Sequence, residues 1–335
     1  MRLLVLGGTG FVGGATVREA LRRGWSVTVF NRGRHGNVPA GVHRLRGDRT
    51  APDGLAALSG GEWDLVVDTW DGAPHAVGAA ARALAGAVPH YVYVSSGSVY
   101  APPVEPGVAE EAPTVEADAH AGDGDYPRNK AGGERAAVEV FGDRALLARA
   151  GLILGPGEDI GRLPWWLQRI ARGGEVLAPG PRDLPLQYID VRDLAAWMLD
   201  RGIDGAGGAY NVIGRTGHAT MGELLDAALA VTGADATLRW TDPEVLLAAG
   251  VEPWNDLPVW IPRGHEYRWL QERGVERAYA AGLVCRPVAE TVADTWRWLG
   301  EVGRVPARAG RPARAAVGLD PERERALLAA AATGT

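Results

Sequence analysis

The chain begins with a pattern that restricts its fold more than any other: a short apolar run followed at once by a glycine-rich turn. The run "LLVLGG" (3–8) predicts a buried strand, and "GFVGGATVREALRRG" follows with the apolar spacing of a helix. Between them "GGTGFVG" sets Gly7, Gly10 and Gly13 three residues apart. In a dinucleotide site these glycines supply a tight turn, room for a pyrophosphate and close helix–strand packing. The N–H groups that open the helix would then face the phosphates. The alternative is an ordinary tight turn.

Strands and helices alternate from this start through the first half of the chain. Strands that alternate with helices predict βαβ units and a parallel sheet covered on both faces. From about residue 156 the pattern becomes irregular, and nine of the twelve Trp residues lie between Trp165 and Trp298. We therefore predict an α/β protein, a Rossmann doubly wound parallel sheet with a smaller C-terminal region. The apolar runs are "SVTVFN", "DLVVDTW", "HYVYVSS" and "ALLARAGLIL".

Composition excludes several classes of protein. One cysteine, Cys285, leaves no internal disulfide, and no Cys/His spacing suits zinc, so we expect no metal. A net charge of -6 argues against a general nucleic-acid partner. The start leaves no room for a signal peptide, and no apolar run approaches the roughly 18 residues of a membrane helix. We expect a cytoplasmic protein without a membrane partner. Abundant Ala, Gly and Arg beside one Lys is typical of GC-rich bacteria, in which a role in secondary metabolism is plausible.

The end of the second predicted strand bears on the choice of nicotinamide cofactor. An acidic residue there would bind a ribose 2'-hydroxyl, but the sequence has Asn31, Arg32 and, two places on, Arg34. A guanidinium binds a 2'-phosphate in two-pronged fashion, so NADP is favoured and NAD remains the alternative. The arginines could instead belong to a solvated loop. Asp48 could accept a hydrogen bond from the adenine amino group or act as a turn residue.

Lys130 is the only lysine of the chain, and it follows Tyr126 by four residues. Positions i and i+4 share one face of a helix, so the two side chains should be neighbours. A nearby cation stabilises a phenolate and lowers the pKa of a phenol, which is near 10 in isolation. The compact ammonium can also donate to both hydroxyls of a nicotinamide ribose, whereas the planar guanidinium has the wrong shape. Asp125 can cap this helix, with Pro127 in its first turn.

A carbonyl reduction or an alcohol oxidation also needs a hydroxyl that orients the substrate oxygen. "YVYVSSGSVYA" supplies hydroxyls at the end of a predicted buried strand, on the carboxyl edge where α/β sites open. Ser95, Ser96 and Ser98 compete for this role.

In this order, the motifs "GGTGFVG", "YVSSGSVYA", "YPRNK", "YIDVRDLA" and "YNVIG" resemble the extended short-chain dehydrogenase/reductase family, of the NAD(P)-dependent epimerase/dehydratase type. The resemblance covers about residues 1 to 300. It implies that Ser96 is the catalytic hydroxyl, that Tyr126 is the acid/base and that Lys130 is the partner of the ribose and the phenol. It also implies that the smaller substrate domain is discontinuous.

The predicted domains and site residues follow from these motifs. We place the dinucleotide-binding Rossmann domain at 1–155 and 186–216, the substrate domain at 156–185 and 217–300, and a linker with a C-terminal helix at 301–335. Predicted cofactor contacts are Gly7, Thr9, Gly10, Phe11, Val12, Gly13, Asn31, Arg32, Arg34, Asp48, Thr69, Trp70 and Leu152. Predicted substrate contacts are Ser98, Trp165, Trp166, Arg182 and Gln187. Arg182 and Gln187 rest on the resemblance alone, and the tryptophans could instead pack in a core.

The chain also departs from the family pattern. The fourth strand is expected to end in "H-x-A-A", but 68–71 read Asp-Thr-Trp-Asp, and the usual "RP" before the "GP" turn is Arg149-Ala150. Sugar-nucleotide 4,6-dehydratases carry an Asp–Glu pair where this chain has Gly97 and Ser98, so that chemistry is disfavoured. "VVDTWDG" and "FNRGR" resemble a branch that includes chloroplast RNA-binding relatives.

Three functions are therefore compared. The leading hypothesis is an NADP-dependent oxidoreductase, a reductase or dehydrogenase of a small-molecule carbonyl or alcohol. The second is an epimerase of a sugar nucleotide or a related substrate with recycled NAD(P). The third is a nucleotide-responsive or RNA-binding non-enzyme, for which Arg304 and the arginines at 308, 311 and 314 could supply charge. A homodimer is a possible assembly.

Overall fold

The computed structural model describes residues 1–34, 38–305 and 317–333. Its strands are β1 (Arg2–Leu6), β2 (Ser26–Asn31), β3 (His43–Arg46), β4 (Leu65–Asp68), β5 (Tyr91–Ser96), β6 (Ala145–Ala150), β7 (Ile153–Leu154), β8 (Gly174–Pro179), β9 (Pro185–Leu186), β10 (Ile189–Asp190), β11 (Gly208–Val212), β12 (Ala219–Thr220) and β13 (Ala236–Thr241). Its α-helices are α1 (Phe11–Arg22), α2 (Pro74–Leu84), α3 (Tyr126–Phe141), α4 (Arg162–Ala171), α5 (Val191–Ile203), α6 (Met221–Thr232), α7 (Pro243–Ala248), α8 (Glu276–Ala280), α9 (Val288–Val302) and α10 (Pro321–Thr333). Short 3-10 turns occupy Ala56–Leu58, Gly97–Val99, Gly142–Arg144 and Arg268–Gln271.

Residue contacts divide the chain into two compact units. The first contains 1–151, 191–213 and 273–284, and the second contains 152–190, 214–272 and 285–335. The division differs from the predicted domains at the boundaries, where 152–155, 186–190 and 214–216 fall in the second unit, and in two longer segments. Residues 273–284, with α8, belong to the first unit, and α10 belongs to the second instead of standing apart. Most of the predicted linker falls at 306–316, outside the described residues.

The first unit is built on a parallel sheet of seven strands among the described residues, in the order β11-β6-β5-β4-β1-β2-β3. This confirms the predicted α/β class. Central strands are apolar without alternation because both faces are covered, and every residue of β5 is buried. The edge strand β3 is partly exposed. The carboxyl ends of β1, β4 and β5 lie side by side, since these strands are neighbours and parallel.

The second unit has small sheets around a separate core. In the part of the chain that is described, β7 pairs with β10 and β8 with β13 in parallel, and β9 pairs with β12 antiparallel. Helices α4, α6 and α9 pack together. Their core includes Trp166, Trp260 and Tyr188, none of which is exposed. No helix within the described ranges is long and apolar enough to cross a membrane.

Candidate active site

The turn between β1 and α1 shows why its glycines differ in purpose. Gly7 has a φ of +99°, a conformation that favours glycine. A Cβ at Gly13 would lie 2.4 Å from the carbonyl oxygen of Gly7, so only glycine lets the helix approach the turn. Gly10 has an ordinary φ of -84°. A Cβ there would meet no protein atom nearer than 4.0 Å.

The turn therefore has room for a dinucleotide phosphate beside Gly10. Protein packing explains the glycines at 7 and 13 but not the glycine at 10, which is exposed where α1 begins. Unpaired N–H groups at a helix start bind anions. The predicted contacts Thr9, Phe11 and Val12 are half-buried around this start, so the missing side chain at 10 leaves space for a ligand.

Basic side chains surround the end of β2. The Asn31 Oδ1 accepts from the N–H of Gly33 at 2.9 Å, which shapes the turn. A Cβ at Gly33 would meet the Nε of Arg46 at 3.2 Å, so Arg46, at the end of β3, joins this group. Arg32 and Arg34 are exposed, as is Arg46.

Asp48 follows the same edge and is engaged in a turn. Its Oδ1 accepts from the hydroxyl of Thr50 at 2.7 Å and from the Thr50 N–H at 3.2 Å. The bond from Thr50 is the main cause that lowers the pKa of Asp48, and the charges of Arg32 and Arg34 add to it. The turn alternative for Asp48 thus has direct support, beside a cluster of guanidinium groups.

The segment after β4 contacts the end of β1, the glycine turn and β5. Thr69 donates to the carbonyl of Leu6 at 3.0 Å, and its hydroxyl lies where a Cβ at Gly7 would fall. The indole N–H of Trp70 donates to the carbonyl of Ala73 at 3.0 Å. The phenol of Tyr93 donates to the Trp70 carbonyl at 3.0 Å.

Helix α3 begins at Tyr126, and its start is built as the sequence predicts. The Oδ1 of Asp125 accepts from the N–H of Arg128 at 2.9 Å, and Pro127 occupies the first turn. The buried Asn129 adds an anchor that sequence reasoning missed. Its side-chain oxygen accepts from the N–H of Gly124 at 2.9 Å, which ties the preceding loop to the helix.

Lys130 lies one turn along α3, and its side chain is only 3% exposed. Its Nζ donates to the Trp70 carbonyl at 2.6 Å and to the Val94 carbonyl at 2.7 Å. The Nζ lies 4.9 Å from the ring centroid of Tyr93 and 6.0 Å from that of Tyr126. The ammonium is therefore held beside the half-buried Tyr126 and near the end of β5, two residues before Ser96.

The three competing serines differ in their partners. The Ser95 hydroxyl donates to Glu134 at 2.6 Å inside the protein. The Ser96 oxygen accepts from the Ser98 N–H at 3.1 Å, and its hydroxyl lies 3.1 Å from that of Ser98. Ser96 caps the turn Gly97–Val99, on which α3 packs. Ser95 is thus engaged by a buried carboxylate of α3, whereas Ser96 and Ser98 bond to each other at the turn on which α3 packs.

A buried ion pair missed from the sequence joins α3 to β6. Glu134 and Arg149 are 2.9 Å apart, with both side chains 7% exposed. Arg149 also donates to the Glu110 carbonyl at 2.9 Å, and Glu134 raises the pKa of Arg149 against the effect of burial. In the sequence, Arg149 stands out only as half of an altered "RP" motif. No local pattern indicates that Glu134 is its partner.

A second unforeseen residue, Arg273, fills the space beside Ser96. A Cβ at Gly97 would lie 1.6 Å from its Nη1, and a Cβ at Gly151 would lie 2.3 Å from its Nη2. Arg273 is 4% exposed, and burial lowers its pKa to about 10. The two glycines therefore form a slot for this guanidinium. A side chain at 97, such as the dehydratase Asp, would collide with it.

The remaining predicted contacts lie in the second unit. Trp166 is fully buried, and its indole N–H donates to the Pro258 carbonyl at 2.7 Å, so core packing accounts for it. Trp165 packs edge-on against it with centroids 4.7 Å apart. Arg182 is exposed and pairs with Asp226 at 2.6 Å. Gln187 is buried, and Leu152 belongs to the hydrophobic core of this unit.

A Rossmann sheet with a glycine turn after its first strand binds dinucleotides, and the Tyr–Lys pair on α3 is similar to what the resemblance to the short-chain dehydrogenase/reductase family implies. The profile of the NAD dependent epimerase/dehydratase family matches residues 3–76 and 73–212. This is more than half of the chain, and the protein belongs to that family. It is accordingly an enzyme of the short-chain dehydrogenase/reductase type, in a family described as NAD dependent.

Solved structures of low sequence identity share the fold. The UDP-glucose 4-epimerase of Thermus thermophilus in complex with NAD is 21% identical, with a TM-score of 0.60 over 89% of this chain and 99% of that chain. The enzyme WbmF of Bordetella bronchiseptica in complex with NAD+ is 17% identical, with a TM-score of 0.62 over 99% and 98%. The UDP-glucose 4-epimerase of Thermotoga maritima with UDP-glucose is 16% identical, with a TM-score of 0.64 over 91% and 100%. The search of curated proteins found no match.

Proposed function

We propose that the protein is an NADP-dependent oxidoreductase of a small-molecule carbonyl or alcohol, with Ser96, Tyr126 and Lys130 as its catalytic residues. One observation carries the proposal: the only lysine of the chain is buried, with its ammonium 6.0 Å from the ring of Tyr126. Burying an ammonium is costly, and the two backbone carbonyls that accept from it lower that cost. A buried cation beside a phenol suits proton transfer.

Each residue has a defined task in the reduction. Bound NADPH would supply a hydride. Ser96 donates a hydrogen bond to the substrate oxygen and polarises the carbonyl. Tyr126 gives its proton to that oxygen and leaves a phenolate, which the positive charge of Lys130 stabilises. In the oxidation direction the phenolate accepts the proton instead.

Replacing Tyr126 tests this assignment. Tyr126→Phe keeps the ring and removes the proton donor, so the rate of NADPH consumption with a panel of carbonyl compounds should fall by about 100-fold or more. NADPH binding, followed by fluorescence, should persist. A variant that reduces the substrate as fast as the wild-type protein contradicts the mechanism.

The preference for NADP over NAD rests on Arg32, Arg34 and Arg46 around the end of β2. Three guanidinium groups suit a 2'-phosphate. The strand end holds Asn31, and so it has no carboxylate that would repel this phosphate. Changing Arg32 and Arg34 together to Ala should weaken NADPH binding about tenfold or more and leave NADH binding nearly unchanged. Equal affinity of the wild-type protein for both cofactors would contradict the preference.

An epimerase with recycled cofactor is the second candidate, supported by family membership and by the shared fold with UDP-glucose 4-epimerases. An epimerase keeps its cofactor through both half-reactions. Cofactor that survives purification, together with conversion of a UDP-sugar without net NADPH use, would favour it. Protein purified without cofactor that consumes NADPH favours the oxidoreductase.

The buried Arg273 argues against the sugar-nucleotide 4,6-dehydratase variant of this chemistry, since its guanidinium occupies the space of a side chain at 97. The RNA-binding alternative depends mainly on arginines 308, 311 and 314, which lie outside the described residues. The acidic net charge of -6 counts against it.

A further inference from the structure

The ammonium of Lys130 is oriented by the backbone of Trp70. Its Nζ donates to the Trp70 carbonyl at 2.6 Å and to the Val94 carbonyl at 2.7 Å. When two N–H groups of a tetrahedral ammonium are directed, the direction of the third follows from geometry. Val94 lies inside the sheet, where its position is fixed by strand pairing. Trp70 lies beyond the end of β4, so its carbonyl must be fixed by other means.

Hydrogen bonds and a cation–π contact fix both the backbone and the ring of Trp70. The Trp70 N–H donates to the Oδ1 of Asp68 at 3.0 Å. The indole N–H donates to the Ala73 carbonyl at 3.0 Å. The guanidinium carbon of Arg49 lies 5.0 Å from the Trp70 ring centroid, a cation–π contact. Asp68 and Arg49 therefore act on the same residue from its backbone and its ring.

Asp68 and Arg49 also form a buried ion pair. The Arg49 Nη1 donates to the Oδ2 of Asp68 at 2.8 Å, and the side chains are 5% and 0% exposed. The phenol of Tyr91 donates to the same oxygen at 2.5 Å. Burial acts to lower the pKa of Arg49, but the charge of Asp68 raises it, so the guanidinium stays protonated. A buried pair is a poor source of stability, and retention for specificity of structure is one explanation for such a pair.

We propose that Asp68 and Arg49 are positioning residues that fix the ammonium of Lys130 toward Tyr126 through the backbone of Trp70. Asp68 and Trp70 belong to the segment 68–71, in which this chain departs from the "H-x-A-A" pattern. The proposal rests on the proposed function in taking Tyr126 as the acid/base. It gives the buried charge pair at 49 and 68 a role in orienting Lys130.

The consequence is a measurable property of Tyr126. The stabilisation of a phenolate by a cation depends on the distance between them. If the Trp70 carbonyl moves, the ammonium is held less firmly beside Tyr126, and the phenol becomes harder to ionise. The pair is neutral overall, and it stays neutral when both charges are removed together. A change in the pKa of Tyr126 then reports a change in geometry and not a change in net charge.

The test is a phenolate absorbance titration of Arg49→Gln/Asp68→Asn, with Tyr91→Phe as a milder second variant. Each protein is compared with the same protein carrying Tyr126→Phe, so the difference isolates the phenol at 126. The matched control is Arg169→Gln/Glu324→Gln, which removes a buried ion pair of the second unit. The titration is made on the whole chain, without cofactor and with NADP+, and circular dichroism checks folding.

We expect the double variant to raise the pKa of Tyr126 by about 0.5 or more, a threefold change in the proton equilibrium. The Arg169/Glu324 control should titrate like the wild-type protein. An unchanged titration, or an equal shift in the control, overturns the proposal. If the double variant does not fold, an upward shift in Tyr91→Phe supports the proposal and its absence overturns it. The titration needs no substrate, so its outcome is separate from whether a carbonyl is reduced.

Discussion

At the scale of single residues, two adjacent serines differ in their hydrogen-bond partners. Ser95 and Ser96 are adjacent in the sequence, and both are buried at the end of β5. Because side chains alternate along a strand, they point to opposite faces of the sheet. Ser95 reaches Glu134, whereas Ser96 meets Ser98. The family resemblance selects Ser96, which stays a prediction, and the Ser95 hydroxyl is engaged by the carboxylate of Glu134.

Single alanine variants should separate these roles. Ser96→Ala should lower the rate of carbonyl reduction by about 100-fold, because it removes a hydrogen bond to the developing oxyanion. Ser95→Ala should keep most of the activity but lower the free energy of unfolding by about 2 kcal/mol, because it removes a bond to a charged carboxylate. Urea unfolding and NADPH consumption measure the two effects. The reverse pattern would reassign the catalytic hydroxyl to Ser95.

At the scale of elements, the turn before α1 makes two glycines testable against each other. Gly13→Ala forces a Cβ to within 2.4 Å of the Gly7 carbonyl and should lower the free energy of unfolding by about 1–3 kcal/mol. Gly10→Ala meets no such obstacle and should change it by less than about 1 kcal/mol. It should nevertheless weaken NADPH binding about tenfold or more. Fluorescence titration measures the affinity, and Gly10→Ala with normal affinity would show that no phosphate lies against residue 10.

The buried carboxyl group of Glu158 lies at the start of α4. Its ionisation should make the stability of the protein depend on pH. Glu158 accepts from the N–H groups of Arg162 and Leu163 at 2.6 and 3.2 Å. Burial nevertheless raises the pKa of Glu158 from its ordinary value of 4.5 to about 7, and the charge of Arg162 and the two hydrogen bonds only partly oppose this. The native state therefore holds a proton that the unfolded chain has already lost between these values.

The sign of the effect follows from this proton. The contribution of Glu158 to stability is complete below about pH 4.5 and is lost as the pH rises to about 7. The loss is on the order of 3 kcal/mol, at 1.36 kcal/mol for each unit. Glu158→Gln cannot ionise, so its stability should fall less across this window. Urea unfolding at several pH values compares the two proteins, and parallel curves would mean that Glu158 keeps an ordinary pKa when folded.

At the scale of the whole molecule, each of the two units is built from three separate segments of the chain. Residues 273–284 rejoin the first unit, and α10 completes the second. Glu324 of α10 is 3% exposed, pairs with Arg169 and accepts from the N–H of Leu177 at 3.1 Å. Asp320 caps α10, since its carboxylate accepts from the N–H of Arg323 at 2.9 Å.

This contact predicts that the C-terminal helix stabilises the second unit. Glu324→Gln leaves the buried Arg169 without its charge partner and should lower the free energy of unfolding by about 3 kcal/mol. Glu322→Gln changes an exposed residue of the same helix and should have an effect below about 0.5 kcal/mol. Chemical denaturation compares both with the wild-type protein, and equal effects would mean that α10 adds no specific contact.

The sequence by itself determined the features that depend on local spacing. The period of the apolar residues predicted the parallel sheet, the glycine spacing predicted the turn at α1, and the interval of four placed Lys130 beside Tyr126. Each follows from the repeat of one strand or one helix, which a short window of sequence contains. The same reasoning predicted the cap at Asp125.

Only the tertiary structure decided which distant residues meet. Arg273 reaches Gly97 across 176 positions of sequence, Glu134 pairs with Arg149, and Arg49 pairs with Asp68. Such partners are selected by how the sheet and its helices pack, and the residues that separate them carry no periodic signal of the contact. Burial then gives these pairs their effect, because a charge acts more strongly where water is excluded.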